Sequence, residues 1–410
     1  MTLVRIAWRN IGRNKRRSIL SALAVSFACA VLIFSMALQR GSYADMIYNT
    51  VHAHTGHLQV QRAGYWPDRT LARRVTSPDA IMAVVRALPH VRAVAPRVNA
   101  AGLVSKGKRT FGGLIFGIDP VREKALSTMA DVIREGKYIE EGDREGVLVG
   151  SLLAENLGAG VGDEIVFLGQ GADGSLAAGR LVVRGLIKTG VSEMDRTTLA
   201  APLATIQDAY SMNGGVSEVA VLLDRDKYRH EVAGEIERKL RERGLTNAAV
   251  LEWPTLLPGV EQSIRIDWNS GLIMYAALVL VVGFGIANTF LMAFMERMHE
   301  LGVLLALGMR PASLSLMVYL ESVLLVLLGV VGGLAMGIPI TRYFQVRGLD
   351  FGVAQETFAE YGLSPVIHPE LSLLVLAWAI GIVVLISLAA AIYPAVKAAR
   401  VKPVEALRHT

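Results

Sequence analysis

Three stretches of this 410-residue chain hold side chains that could do chemistry. The first is GLVSKGKRT, Gly102 to Thr110, which nearly spells a phosphate-binding loop: Gly102, four residues, Gly107, Lys108. Such a loop needs Ser or Thr directly after the Lys to hold magnesium, with a strand before it and a helix after. Here Arg109 follows the Lys and the flanking pattern is that of a hairpin. Nucleotide binding is therefore not expected at this point. The second stretch, HAHTGH, offers His52, His54 and His57, a spacing that permits zinc or copper. No Cys or carboxylate follows within the next ten residues and the stretch runs straight into a strand, so a structural role and no metal are expected. The third is Glu321, the one acid in an otherwise uncharged run. An acid within a membrane span marks function by default, proton or ion coupling first. It sits about two to three turns in from the end of the run, at ~1.5 Å per residue, and no second charge shares the run. A hydrogen bond between helices of a bundle or dimer is the expectation, supported by Gly329, Gly332, Gly333 and Gly337, which favour close packing. With no nucleophile elbow, paired-cysteine motif or Gly-rich dinucleotide loop, the chain shows no enzyme site and no cofactor site of its own.

The elements that must position these residues are long apolar runs. The chain is 52% hydrophobic and 19% charged, a membrane-type composition. Ser18 to Gln39, Trp268 to Met295 and Leu371 to Val396 carry no charge, and Ala312 to Thr341 carries only Glu321. About 20 apolar residues cross a bilayer, so four transmembrane helices are expected, at 18–39, 270–294, 312–341 and 371–394. The first run has a basic lead-in and a cleavage-like Ser35-Met36-Ala37, but its 22 uncharged residues exceed a signal-peptide core. It reads as a retained anchor.

Charge sets the orientation. The first 17 residues hold six Lys/Arg and no acid, and Lys397 to Thr410 holds four against Glu405. The segment from Ala44 to Ser270 holds 27 basic and 28 acidic residues, so the net charge of +6 comes from the two ends. The positive-inside rule then places both termini and residues 295–311 in the cytoplasm, with 40–269 and the loop 342–370 outside. The basic balance is a topology signal and implies no nucleic-acid partner. The single cysteine, Cys29, permits no intrachain disulfide, so the outer segment must rest on its own core.

Residues 1–17 read as an amphipathic helix in the cytoplasmic interface. Arg5, Arg9, Arg13 and Arg16 share one face, Leu3, Val4, Ala7, Trp8 and Ile11 the other, with Trp8 at headgroup level. The outer segment mixes strand and helix patterns, an α+β texture. Short strands and Gly-rich turns suggest a small barrel-like insertion over about 125–205.

Between the second and third spans lies MERMHELGVLLALGMRP, Met295 to Pro311. Its helix phase aligns Met298, Leu301, Leu305 and Gly308, lets Arg297 pair with Glu300, and ends at Gly308 and Pro311. Short tethers to two spans make it a receiver of force from a cytoplasmic partner. With its flanks, GFGIANTFLMAFMERMHELGVLLALGMRP (283–311) resembles FtsX-type permeases, the membrane subunits of ABC transporters that include MacB exporters and lipoprotein-releasing permeases. The family's coupling helix, E-[I/L]-G-x-L-x-A-L-G, is matched by Glu300, Leu301, Gly302, Leu304, Ala306, Leu307 and Gly308. Leu305 stands where the family often has a basic or polar residue. AWRNIGRNKRRSIL near the start and YPAVKAARVKPVEALR (393–408) resemble the family's two ends, so the likeness covers the whole chain.

The resemblance implies a bacterial inner-membrane protein with four transmembrane helices and a large periplasmic α+β domain, Porter-like with a β-rich insertion, between the first two. It implies a cytoplasmic ATPase dimer, supplying ATP and Mg, docked on Glu296, Arg297, Glu300, Leu301, Gly302, Leu304, Leu305, Ala306, Leu307 and Gly308. A second permease copy or paralogue and a periplasmic lipoprotein carrier or adaptor are further implied partners. Motion rather than passage through a channel would do the work. Three readings stay open: lipoprotein release, MacB-like export of peptides or small molecules, and a signalling permease that regulates cell-wall hydrolases. The sequence also leaves homodimer and heterodimer open. An apolar outer cleft between the first two spans would suit lipid extraction, and an exposed apolar patch outside would suit a regulator.

Overall fold

The computed structural model describes residues 2–13, 15–352 and 366–400, without the side chains of Thr2, Leu3, Val4, Arg13, Arg17 and Ala293. The C-terminal ending from Val401 onward and residues 353–365 of the segment 342–370 lie outside the described residues. The chain forms two compact units, one of 45–262 and one built from the flanking segments up to Ala44, Ser263 to Phe351, and from Val366 onward.

The chain begins with α1 (Thr2–Arg13) and α2 (Lys15–Thr50), the latter ending in a π-helical turn over Val51–Thr55. The unit of 45–262 then runs β1 (Leu58–Arg62), α3 (Tyr65–Asp68), α4 (Pro78–Arg86), β2 (Val91–Lys106), β3 (Arg109–Ile118) and α5 (Pro120–Leu126). It continues through β4 (Ile133–Gly136), β5 (Gly146–Gly150), α6 (Ser151–Leu157), β6 (Glu164–Gln170), β7 (Leu176–Ile187), α7 (Ser192–Thr197), β8 (Thr198–Pro202) and α8 (Leu203–Ala209). It closes with β9 (Glu218–Leu223), α9 (Arg229–Glu242), β10 (Ala248–Glu252) and α10 (Trp253–Leu256).

Strands β10, β1, β9 and β2 pair antiparallel in that order, against α4 and α9. The 16-residue β2 is too long to belong to that sheet alone. It pairs with β9 as far as Arg97 and with β6 from Gly102 to Ser105, while its other edge pairs with β3. Following the pairs from β2 through β3, β8, β5, β7 and β6 returns to β2, a closed six-stranded ring. The barrel-like part thus starts earlier than 125: it borrows β2 and β3, and one core cluster runs through sheet and ring alike. Closure requires a glycine. A Cβ at Gly102 would stand 2.4 Å from the Leu168 carbonyl oxygen across the β2–β6 contact. The same residue opens the phosphate-loop look-alike, whose Gly107 is a left-handed hairpin residue (φ 63°) and whose Lys106 pairs with Asp163. Val147 and Val149 join the large core, and Leu148 the cluster with Met129 and Ile139, so β5 is buried on both faces and reads as an unbroken apolar run.

The remaining helices are α11 (Pro258–Met295), α12 (Met298–Ala306), α13 (Pro311–Arg347) and α14 (Leu373–Ala399), with a two-strand hairpin of Leu349–Asp350 and Val366–Ile367 before the last. Among the described residues, four segments are long and apolar enough to cross a membrane: Ser18–Thr55, Pro258–Met292, Pro311–Arg347 and Leu373–Ala399. The first three helices overrun the hydropathic spans, α11 beginning a dozen residues before 270, because backbone hydrogen bonding continues where hydropathy stops. In the membrane unit, α13 lays its glycines on α2: Gly329 against Val25, Gly332 against Ser26, Gly333 against Cys29 and Gly337 against Ala30. Ser26 Oγ donates to the Gly329 carbonyl at 2.9 Å across this seam. Ser315 Oγ donates to the Ala395 carbonyl at 2.7 Å, joining α13 to α14.

Candidate coupling site at the Arg297–Glu321 pair

Helix α11 stops at Met295 and α12 starts at Met298, with Arg297 at the turn (φ −106°, ψ 12°). Glu300 lies in the first turn of α12, where a negative charge suits the helix dipole. Gly308, at φ 97°, then breaks the helix, and Pro311 opens α13. The nine-residue α12 buries Leu301, Gly302 and Leu305. Leu301 and Leu305 pack with Phe294, Leu314, Met317 and Ala398, so α12 sits on the bases of α11, α13 and α14.

Arg297 faces inward. Its Nη1 lies 2.8 and 2.7 Å from the two carboxylate oxygens of Glu321, and its Nε 3.3 Å from Glu300 Oε2. The side chains of Arg297 and Glu321 are only 12% and 9% exposed. Phe290, Phe294, Leu301, Val318, Ser322 and Leu325 surround the pair about a space of roughly 30 Å³, room enough for water. The charge partner of Glu321 is thus supplied from the turn before α12, outside its own span. The i,i+3 contact of Arg297 with Glu300 was legible in the sequence; the 24-residue link to Glu321 was not.

The residues of the coupling segment divide into two faces. Arg297, Leu301, Gly302 and Leu305 are directed inward and Leu304 is half-buried, while Glu296, Glu300, Ala306, Leu307 and Gly308 are exposed. Burial of Leu305 accounts for the absence of a polar residue there. The exposed face also holds His299, Val303 and Arg310, which a motif comparison passes over. Their signal in the sequence is the i, i+4, i+8 spacing that runs from His299 through Val303 to Leu307, and Leu307 is 79% exposed.

Helix α1 packs against the membrane unit. Ala7 and Ile11 are buried where it packs on α13, and Ser18 Oγ donates to the Ile11 carbonyl at 3.0 Å. Arg5, Trp8, Arg9 and Arg16 are exposed.

At the other end of the membrane unit, Tyr43 Oη donates to Asp267 Oδ2 at 2.6 Å, Gln39 Nε2 to the same oxygen at 3.2 Å, and Tyr275 Oη to Gln39 Oε1 at 2.9 Å. Among the described residues, α2 and α11 meet there through this polar clasp, where an apolar outer cleft was one expectation. Arg40 pairs with Glu370 at 3.1 Å, and the Glu370 amide donates to the Ala37 carbonyl.

In the 45–262 unit the three histidines of HAHTGH go to separate partners. The His52 ring stacks on Tyr48, the His54 ring lies 4.1 Å from Phe116, and His57 Nδ1 accepts the Leu223 amide at 3.1 Å. Burial pushes His57 down to about 4, so it is a neutral acceptor in the sheet. The charged centre of this unit is Arg97, fully buried on β2. Its Nε and Nη2 pair side-on with the two carboxylate oxygens of Glu123 at 2.9 and 2.6 Å, it lies 3.7 Å from Glu218, and its Nη1 donates to the His54 carbonyl. Asn99 Nδ2 donates to Glu218 at 2.8 Å. These groups tie the segment before β1, the shared strand β2, helix α5 and strand β9 at the junction of sheet and ring.

Residues 18–239 match the MacB-like periplasmic core domain and residues 272–403 the FtsX-like permease C-terminal domain. The chain belongs to this permease family. Among its relatives, the lipoprotein-releasing system transmembrane protein LolC of Xylella fastidiosa is 24% identical over 97% of this permease and 96% of its own length. The macrolide export ATP-binding/permease protein MacB 1/2 of Paracoccus denitrificans is 23% identical over 99% of this permease and 58% of its own length. The periplasmic region of MacB from Actinobacillus actinomycetemcomitans superimposes with a TM-score of 0.37 at 14% identity, covering 52% of this permease and 94% of that chain. The permease is thus of the ABC transporter type VII kind.

Proposed function

We propose that this permease is driven by a separate cytoplasmic ATPase dimer and works by transmitting motion to its outer domain, releasing lipoproteins or other lipidated cargo from the inner membrane. The carrying observation is the Arg297–Glu321 pair. It fixes the α12 segment to α13 above a packed apolar base, so a load on α12 is borne by the third span and, through the glycine seam, by the first. The exposed face of α12, with Val303, Ala306, Leu307 and Arg310 beside Glu296 and Glu300, is the proposed ATPase contact, and Leu307 is its apolar anchor. ATP and Mg act on the partner. Both termini lie in the cytoplasm and the 45–262 unit in the periplasm, with α1 in the cytoplasmic interface. A second permease, identical or paralogous, completes the assembly.

Correspondence with LolC over 96% of its length supports lipidated cargo. The polar clasp between α2 and α11 is then the closed state of the first two spans. A reading in which a protein engages the outer domain, as for an adaptor of an exporter or a hydrolase under control, has its own observation. Leu103 on β2 stands directly opposite Leu168 on β6, with Leu114 on β3, and all three are exposed on the outer face of the ring. Purification from native membranes in mild detergent, with mass spectrometry of what accompanies the permease, separates the readings. A soluble ATPase lost on Leu307→Asp, together with a lipoprotein, supports the proposal. A hydrolase or adaptor in place of the lipoprotein supports the second reading, and absence of any ATPase overturns both.

A further inference from the structure

Where α1 meets α2, the membrane unit holds a cleft of about 330 Å³, open to one side. Trp8, Ile11 and Gly12 of α1 form one wall, Ser18, Ile19 and Ala22 of α2 the floor, and Leu328 of α13 the far wall. Among the described residues that line it, Lys15 is the only charged one. The one polar side chain on the floor is already used, since Ser18 Oγ donates to Ile11. The cleft is thus an apolar slot with a single cation, and its size falls in the range of about 300–1,000 Å³ typical of small-molecule sites.

Its place on the chain fixes what can reach it. The apolar span starts at Ser18, so Lys15 stands at the membrane–water boundary and the floor descends into the hydrocarbon. Beyond the floor the surface stays apolar and exposed, through Leu20, Leu23 and Leu327. The segment around Lys15 is wholly basic in sequence: no Asp or Glu occurs before Asp45, and Arg5, Arg9 and Arg16 are exposed. A basic pocket between helices at the headgroup level selects negative lipid headgroups, and an apolar slot beneath it takes a hydrocarbon chain.

We propose that this cleft seats an anionic phospholipid, its acyl chain between α1 and α2 and its phosphate on the Lys15 ammonium. The lipid completes the packing of α1 against the membrane unit. Trp8 lines the cleft and is 55% exposed, so it reports occupancy directly.

The test uses the full permease in nanodiscs, with the exposed Trp268 and Trp378 replaced by Phe so that Trp8 is the tryptophan of the membrane unit. Phosphatidylglycerol or phosphatidylcholine, each brominated on the acyl chain, is introduced at equal mole fraction, and quenching of Trp8 is read. Brominated phosphatidylglycerol is expected to occupy the site with about fivefold preference, the size of one lysine–phosphate attraction. Lys15→Gln abolishes the preference and Lys15→Arg keeps it. Ala22→Leu fills the floor and lowers quenching by both lipids. Equal quenching by the two lipids in the parent overturns the proposal. So does a preference that survives Lys15→Gln, which assigns it to the general basic surface, or quenching unchanged in Ala22→Leu, which places the chain outside the cleft.

Discussion

Arg297 and Glu321 share a bidentate ion pair at 2.7 and 2.8 Å that joins the turn before α12 to the interior of the third span. Removing one member breaks this buried pair, at a cost of about 3–5 kcal/mol. Glu321→Ala and Arg297→Ala are each expected to lower the thermal stability of the solubilised permease and to abolish stimulation of its ATPase. The exchange Arg297→Glu with Glu321→Arg restores part of both. Equal losses in the single and double variants would show that the pair does not act as a unit.

Leu307 is expected to behave in the opposite way. It is 79% exposed and contributes little to the fold. Leu307→Asp should leave the melting temperature within experimental error while weakening ATPase binding by about 2 kcal/mol, roughly thirtyfold. Titration of purified ATPase onto the permease in nanodiscs measures this. A large drop in stability would instead make Leu307 part of the core.

The glycine seam predicts a graded response to a single methyl group. A Cβ at Gly333 would lie 2.5 Å from Cys29 Cβ and 2.9 Å from the Ser26 carbonyl oxygen, a backbone atom that cannot rotate away. Gly333→Ala is expected to destabilise the membrane unit by about 1–3 kcal/mol. At Gly381 a Cβ meets nothing within 4 Å, so Gly381→Ala should be neutral or slightly stabilising. Thermal unfolding of the two variants side by side checks the contrast.

Glu218 gives the 45–262 unit a pH dependence. Burial pushes its carboxyl up to about 7, against the Arg97 charge and the Asn99 hydrogen bond, which pull it down. Because the folded-state value lies above the ordinary carboxylate value of 4.5, the folded state holds this proton more tightly. Its contribution to stability is complete below about pH 4.5 and is lost as pH rises through about 7. Glu218→Gln should therefore stabilise the 45–262 unit by about 1–3 kcal/mol at pH 8 and have little effect at pH 4 to 5. Urea unfolding at the two pH values decides it, and a gain of equal size at both would sink the argument.

Much of the architecture is written in one dimension. Hydropathy marks four spans because a bilayer accepts only runs of about 20 apolar residues, and the E-L-G-x-L-x-A-L-G pattern marks α12 through helix phase and a glycine stop. Short-range contacts such as Arg297 with Glu300 follow from that phase. The boundaries were less legible. The ring that looked like a separate insertion borrows β2 and β3, because a 16-residue strand can change partners midway and strand pairing leaves no trace in composition.

The sequence by itself determined which segments are apolar, where the charges lie and which helix bears the family's signature, since each depends on neighbours within a few residues. Only the tertiary structure decided that Glu321 receives Arg297, that Gly102 gives way to the Leu168 carbonyl, that His57 serves a strand amide, and that Tyr43 and Asp267 join α2 to α11. In each case the partner stands 24 to 224 residues away, or across a strand pairing that local periodicity cannot encode. The cost of burying a charge or an amide without a partner is what selects such contacts, and that cost exists only once the chain has folded around them.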